Sequence, residues 1–576
     1  MYRPVLDAVG GSLLLTALVA MLPLLSLFVM LGVFRLTAWK AAIISLVVSI
    51  LVAIVAYSMP TGQAVMSGVE GAVFGFFPIL WIVINAIWVY NMTVVTGHFD
   101  VLRRSFARIS DDQRIQAVIV AFCFGALLEA LAGFGTPVAI TSVMLIALGF
   151  RPLKAAVVAL VANTAPVAFG ALAVPITTLS SVSHIPEDTL GAIVGRQTPV
   201  LALFVPMALV FIIDKGKGVR ETLPATIVCG VGFAIAQFVT SNFLSVQLSD
   251  IVASLFSAAC VVLLLRTWTP SAAFVDTSEE EEEEVMVVSG GTAVGTGSGG
   301  SVATDEPVGD GMSLDDIAAR DATAHDTTAD VAKAYAPYLV IIAVFVITQL
   351  PGVKDLFDKP TVSFQWPGLH LETPGGDPST IPTFKLNWLG AAGTLMVISG
   401  LISIPILGIS PAKAFRAYLD TYKQLVGAII TVMAVLGLAY VMNASGQTST
   451  LGEWMAGAGA AFAVISPILG WLGVAVTGSD TSSNSLFGAL QVQAARETGL
   501  GQALMAAANS SGGVLGKMVS PQNLAIAAAA VGMSGREGDI FRKMLKWSLG
   551  FLVFMCVLVY LQTTPVLEWM LHGTGG

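Results

Sequence analysis

Long apolar runs alternate with short polar segments along almost the whole chain. A helix needs about 20 apolar residues to cross the hydrocarbon core of a bilayer. The pattern therefore predicts an all-α polytopic membrane protein with about 12 transmembrane helices, at 12–34, 41–59, 71–95, 154–180, 197–213, 223–242, 248–266, 335–351, 386–409, 424–443, 500–535 and 547–570.

Two further apolar runs, 115–150 and 454–495, carry a polar centre. These centres are 132–137, which reads Ala-Gly-Phe-Gly-Thr-Pro, and 477–485, which contains an aspartate among glycine, serine and threonine. A bilayer tolerates non-helical polar backbone only where protein or a water-filled cavity surrounds it. We therefore predict two re-entrant hairpins with these centres at their tips. Such polar interruptions in matching halves of a chain point to the binding site of a secondary transporter.

Two of the predicted helices are also interrupted. The first is broken at Asn163–Pro166, where the proline removes a backbone donor and disturbs the preceding turn. The second is predicted to break at Asn509–Gly513. Unwound carbonyls and amides at these breaks can face a cavity, although neighbouring helices can also satisfy plain kinks.

The composition supports a membrane location. Hydrophobic residues make up 55% of the chain and charged residues only 11%, against about 25% charged in soluble domains. The net charge of −9 comes from one segment, 276–330, which has fifteen acidic residues and one base, Arg320. We expect this segment to be disordered, because its charges repel one another and it has few apolar residues.

Several classes of partner are disfavoured. Lysines and arginines are scattered at the ends of the apolar runs, so no basic face suggests binding to nucleic acid. The four cysteines lie singly in apolar runs and have neither metal-ligand nor disulfide spacing. We expect no cofactor and no metal site. The partners that remain are a small substrate and the lipid bilayer, and a homodimer stays among the open alternatives.

The two halves of the chain repeat with opposite orientation. Gly133 and Gly478 lie 345 residues apart, and Asn163 and Asn509 lie 346 apart. Cytoplasmic loops collect Lys and Arg, and bases follow the 71–95 run but precede its counterpart at 424–443. Corresponding loops thus face opposite sides, as an inverted repeat requires.

The charge pattern also divides the chain and orients it. It places the acidic loop in the cytoplasm and both termini outside. The predicted division is a first repeat at 1–213, two connecting transmembrane helices at 214–266, the acidic Gly/Ser-rich cytoplasmic loop at 267–334, and a second repeat at 335–576 with an external insert at 352–385.

Four motifs resemble the bacterial L-lactate permease family: Leu128–Pro137, Asn163–Gly170, Thr477–Phe487 and Gly512–Gln522. The resemblance covers both membrane halves. It implies proton-coupled uptake of L-lactate, with D-lactate and glycolate as further substrates, in the plasma membrane. The family is similar to the wider ion-transporter group, whose members move a substrate-carrying domain past a scaffold in an elevator fashion. The long acidic loop departs from the family pattern.

A lactate-like anion requires donors for its carboxylate. Hairpin tips and the N-termini of half-helices provide them without a full positive charge. The alternative for the small polar residues is close helix packing. The substrate-binding candidates are Gly133, Gly135, Thr136, Asn163, Thr164, Ser479, Thr481, Ser482, Ser483, Asn484, Asn509, Ser510, Ser511, Lys517 and Gln522.

Three ionisable candidates are predicted at membrane depth: Glu129, Asp480 and Lys517. Such charges are costly there and mark functional sites by default. Glu129 and Asp480 are the two candidate carriers of the coupling proton. Lys517 either meets the substrate carboxylate or neutralises Asp480 as part of a permanent ion pair.

Other classes fit the sequence less well. An intramembrane aspartyl hydrolase would need two carboxylates that share a site, and Asp480 has no acidic counterpart in the upstream tip. A channel is disfavoured by the repeat and the broken helices, which suit alternating access. Sodium coupling stays open, because unwound carbonyls can also hold Na⁺.

Overall fold

The computed structural model describes most of the chain as helices. The described residues are 1–107, 109–110, 112–133, 135–270, 274, 326–348, 350, 352–372, 378–379 and 381–573. Most of the predicted acidic loop at 267–334 therefore lies outside the described residues. Its last part, 328–334, is not a loop but the beginning of the helix Thr328–Thr348.

The first half contains fourteen α-helices among the described residues. They are Leu13–Ala20, Leu22–Gly32, Ala38–Val55, Thr61–Phe74, Trp81–Val95, His98–Ala107, Gln113–Ala117, Gly125–Ala132, Thr136–Ala147, Pro152–Ala162, Gly170–Ser183, Glu187–Ala202, Val205–Phe243 and Ser249–Leu265. Wider π-helical turns at Gly75–Leu80 and Val118–Phe124, and tighter 3₁₀ turns at Val167–Phe169 and Val246–Leu248, connect some of them.

The second half contains ten α-helices among the described residues. They are Thr328–Thr348, Val353–Asp358, Ala392–Leu407, Pro411–Ser445, Gln447–Met455, Phe462–Thr477, Asp480–Thr498, Gln502–Gly516, Pro521–Ala530 and Glu537–Gln562. Three 3₁₀ turns lie at Ala456–Ala461, Lys517–Val519 and Glu568–Leu571. The insert is not purely helical, because its strands Val362–Gln365 and Thr383–Leu386 pair antiparallel. The prediction of an all-α protein is therefore wrong for these two strands.

Ten helices among the described residues are long and apolar enough to cross a membrane, or eleven if the bent pair Pro152–Ala162 and Val167–Ser183 is one span. The runs at 197–213 and 223–242 lie within one helical stretch, Glu187–Phe243, of 57 residues. Asp214 and Lys215 leave helical geometry inside it, so a kink separates the two runs.

The polar residues lie in the centre of the helix assembly. The helix Gly125–Ala132 is buried along its full length, and Gln502–Gly516 is buried at every residue after Gln502. Helices on the outside expose large apolar side chains, for example Leu18, Leu51 and Val553. Because lipid tails solvate such side chains, this surface is the one expected of a membrane protein.

The upstream break lies where the sequence predicted it. Pro152–Ala162 ends immediately before Asn163, and the chain bends by 64° across the break. Backbone angles stay irregular beyond it, since Ala171, Leu172 and Ala173 all have positive φ. The downstream break is displaced from its predicted position.

The prediction of a break at Asn509–Gly513 is wrong, because these residues are helical. The helix ends at Gly516, and the break consists of the turn Lys517–Val519. No proline lies within 509–513. The polar side chains there bond to neighbouring helices rather than to their own backbone, which removes the reason to unwind.

Candidate functional site

Two glycines shape the tips of the two helical hairpins. Gly478 has φ +77° and ends the helix Phe462–Thr477, while Gly135 has φ +88° and precedes the helix that begins at Thr136. Residues with a β-carbon rarely adopt this left-handed conformation. After Gly478, the Ser479 hydroxyl caps the next helix by accepting from the backbone N–H of Ser482 at 3.3 Å. Local sequence therefore sets both turns.

The two tips meet at Asn523. Its side-chain amide donates to the carbonyl of Gly478 at 3.4 Å. A β-carbon on Gly135 would lie 3.6 Å from its Oδ1. Three helices begin at this point, and their N-termini carry partial positive charge that suits a carboxylate. These helices start at Thr136, Asp480 and Pro521.

A buried ion pair lies beside the upstream tip. Lys517 Nζ donates to Glu129 Oε1 at 2.5 Å, and Asn163 Nδ2 donates to Glu129 Oε2 at 3.0 Å. A β-carbon on Gly133 would lie 3.7 Å from Glu129 Oε1. We call Glu129, Lys517 and Asn163 the ion-pair cluster. It joins the upstream hairpin to both helix breaks, and its lysine bonds to Glu129 rather than to Asp480.

Asp480 forms the centre of a second buried group. Its Oδ2 accepts from the Ser510 hydroxyl at 2.6 Å and from Asn484 Nδ2 at 3.3 Å. Its Oδ1 has no hydrogen-bond partner within the described part of the chain. A β-carbon on Gly513 would lie 2.3 Å from that oxygen, so the glycine provides the room that the carboxyl occupies. A buried acceptor without a donor at the start of a helix is a candidate partner for a ligand.

An amide chain connects this group to the upstream half. Asn484 Nδ2 donates to the carbonyl of Pro175 at 3.0 Å. Asn509 Nδ2 donates to Asn484 Oδ1 at 2.9 Å, and Gln491 Nε2 donates to Asn509 Oδ1 at 3.0 Å. We call Asp480, Ser510, Asn484, Asn509 and Gln491 the Asp480 cluster. Buried amides that bond to one another fix the relative position of the helices that carry them.

Three candidate residues make only structural bonds. The hydroxyls of Thr164 and Ser483 donate to backbone carbonyls of Leu160 and Gly470, and Ser511 donates to Gln197 Oε1 at 2.6 Å. These contacts correspond to the close-packing alternative.

Other candidates remain available at the tips. Gln522 is exposed beside Gly478, and Thr136 and Ser479 are half-buried. Among the described residues, the hydroxyls of Thr481 and Ser482 have no hydrogen-bond partner. The first N–H groups of the helix that begins at Asp480 have no partner within that helix. These donors point to the downstream tip as the polar surface that a substrate would meet.

Sequence reasoning missed Asn523, Gln197, Gln491 and Asp250. The last three lie at or near the ends of apolar runs, where polar residues usually face water. Asn523 follows the predicted Gln522 by one position but lies on the buried side of the helix, whereas Gln522 is exposed. Nothing in the sequence separates these residues from ordinary loop polar groups.

The four cysteines are free in this structure. In space, however, they are not all single: the sulfur atoms of Cys123 and Cys229 lie 3.6 Å apart. Among the described residues, no group of three or more His, Cys, Asp or Glu side chains is arranged to hold a metal ion.

The sequence matches the family model described as L-lactate permease over residues 16–566. The L-lactate permease of Bacillus subtilis is 38% identical, with 98% of each chain covered. The glycolate permease GlcA of Escherichia coli is 41% identical, covering 98% of this chain and 97% of the relative. The L-lactate permease of Escherichia coli is 40% identical, with 98% of each chain covered.

Among solved structures, the YdaH transporter of Alcanivorax borkumensis matches 86% of each chain, with 15% identity and a TM-score of 0.41. A TM-score this low does not establish a shared fold.

Proposed function

Since the chain belongs to the L-lactate permease family, we propose that it imports L-lactate across the cell membrane by proton symport, with D-lactate and glycolate as further substrates. One relative is named as a glycolate permease, which supports the inclusion of the smaller hydroxy acid. The buried ion pair between Glu129 and Lys517 at the meeting point of hairpin and breaks is the observation that carries the mechanism.

Charge balance explains how one proton is coupled to one anion. In the empty site, the negative Glu129 and the positive Lys517 neutralise each other. When Glu129 takes up a proton, Lys517 loses its partner and can bind the carboxylate of lactate instead. The site then again carries no net charge. Both states therefore avoid an isolated charge at membrane depth, whereas binding only the proton or only the anion leaves one.

The geometry at the tips supports a substrate position between the two hairpin tips. The three helix N-termini stabilise the bound carboxylate. The buried Oδ1 of Asp480, which lacks a donor, suits the substrate hydroxyl, and the hydroxyls of Thr481 and Ser482 lie beside it in sequence. Asp480 is also the second candidate for the proton carrier, because it lies in a buried group that contains no cation.

The larger architecture forms part of the same proposal. The two halves act as inverted repeats with the predicted boundaries, and 115–150 and 454–495 act as re-entrant hairpins. The tips and breaks form the moving part of an elevator, which slides past a scaffold that contains the Pro411–Ser445 helix. Twelve crossings are the arrangement that we infer for one chain, and a homodimer remains one alternative for the assembled transporter.

The decisive experiment is uptake of labelled lactate into proteoliposomes. With acid outside and no sodium, we expect lactate to accumulate above its external concentration. If accumulation requires a sodium gradient instead, the coupling ion is Na⁺ and not a proton. Equilibration under both gradients without accumulation would identify a channel.

Two substitutions separate the candidate proton carriers. Glu129→Gln and Asp480→Asn each remove one titratable group with little change in shape. The carrier's variant is expected to lose proton-driven accumulation while lactate still exchanges across the membrane. Asp420→Asn, at an exposed site paired with Lys423, serves as the matched control. If both variants accumulate lactate like the control, neither carboxyl carries the proton.

A further inference from the structure

A cavity of about 200 Å³ lies apart from the tips. Its walls come from the helix Gly170–Ser183 through Thr177, from the insert through Lys385, and from the helix Ala392–Leu407 through Leu395. Glu187 and Gln247 complete the polar side. The distribution of Lys and Arg places both the insert and the segment 181–190 on the external side, so the cavity faces the compartment from which protons arrive.

Glu187 is held in this cavity by two donors. Its Oε1 accepts from the Thr177 hydroxyl at 2.7 Å and from Gln247 Nε2 at 2.8 Å. The side chain is half-buried, Asp188 adjoins it in sequence, and Lys385 shares the cavity wall. A positioned carboxyl between solvent and the protein interior is suited to accept a proton.

A second unassigned acid lies further inside. Asp250 is fully buried, and its Oδ1 accepts from Gln237 Nε2 at 2.8 Å. Its Oδ2 has no partner among the described residues. The turn Val246–Leu248 places Gln247, which bonds to Glu187, three positions before Asp250. A buried carboxyl oxygen without a donor calls for an explanation other than packing.

The helix that carries Asp250 packs against the helix Gly125–Ala132, which carries Glu129. The three carboxyls thus form a series from the external cavity to the ion-pair cluster. We propose that Glu187 collects protons from the outside and that Asp250 passes them to Glu129. This inference rests on the proposed proton symport and adds the route by which the proton arrives.

A route and a coupling site have different kinetic signatures. A relay affects how fast a proton reaches Glu129 but not the free energy that the proton gradient supplies. The coupling carboxyl determines whether that free energy is used at all. Loss of a relay residue should therefore slow net uptake and leave its end point unchanged. Exchange of lactate at equal pH should also persist, because it does not require a proton to be delivered.

The test uses Glu187→Gln and Asp250→Asn in proteoliposomes, with Asp420→Asn at an exposed site outside the cavity as the control. We expect the initial rate of proton-driven uptake to fall by roughly a hundredfold in the two relay variants, the low end of what a positioned proton-transfer group contributes. Final accumulation and lactate exchange should match the wild-type protein, and the control should be unaffected. Intact exchange also shows that the variants are folded.

Uptake at the wild-type rate in both variants would overturn the proposed route. Exchange that falls in parallel with uptake would overturn it too, because it assigns the two acids a purely structural role. If the wild-type protein itself does not accumulate lactate under a proton gradient, the proposed function fails. These results are distinguishable, because only the last one concerns the unmodified chain.

Discussion

The strongest energetic consequence of the structure concerns the Glu129–Lys517 pair. The two side chains are 4% and 8% exposed, and the contact is 2.5 Å. Removing one member of a buried pair leaves an uncompensated charge, which costs about 3–5 kcal/mol. We therefore expect Lys517→Met to lower the free energy of unfolding by roughly 3 kcal/mol or more, because the Asn163 amide alone cannot balance the carboxylate.

The double variant Glu129→Gln/Lys517→Met should be more stable than the lysine variant alone. Neutralising both partners removes the isolated charge. The effects of the two substitutions on the free energy of unfolding are therefore expected to be strongly non-additive. Reversible unfolding in detergent with increasing denaturant measures Lys517→Met, Glu129→Gln and the double variant. The exposed pair Lys423–Asp420, with 78% and 56% side-chain exposure, is the matched control, and its loss should change stability by at most about 1 kcal/mol.

Additive effects at Glu129 and Lys517 would refute this reasoning, as would a lysine variant no less stable than the control. In either case the pair would not act as a coupled unit. The charge-balance mechanism for symport would then lose its structural basis.

Two further predictions concern glycines in tight contact. A β-carbon on Gly470 would lie 1.9 Å from a backbone oxygen of the neighbouring helix, so Gly470→Ala should reduce the yield of folded protein. Gly427→Ala is the control, because no atom lies within 4 Å of a β-carbon at that helical position, and it should leave the yield of folded protein unchanged. Size-exclusion chromatography compares the yields of the two variants. A β-carbon on Gly170 would lie 2.8 Å from Glu129 Oε1. Gly170→Ala should therefore displace the carboxyl and weaken lactate binding, as measured by calorimetry, and unaltered affinity would contradict it.

Local sequence predicted the features that depend on backbone geometry. Gly135 and Gly478 form the tips because a left-handed conformation favours glycine. The upstream break occurs at Asn163–Pro166, where the proline cannot take part in the helical bonding of the preceding turn. These features can be predicted without knowing which residues surround them in the fold.

Features that depend on distant partners could not be predicted. The Asn509–Gly513 segment looked like a break, but Asn484 and Gln197 satisfy its side chains and it remains helical. Lys517 had two carboxyls available in the sequence, and only the packing of the helices selects Glu129. Asp250 looked like a polar residue at the edge of an apolar run, yet the structure buries it completely.

The central claim is that the two hairpin tips together enclose the substrate. A cryo-electron microscopy map of the protein with L-lactate tests it most directly. We predict density for one lactate between Gly135 and Gly478, with its carboxylate towards Lys517. Density only in the external cavity beside Glu187, or tips that separate without a ligand between them, would contradict the account.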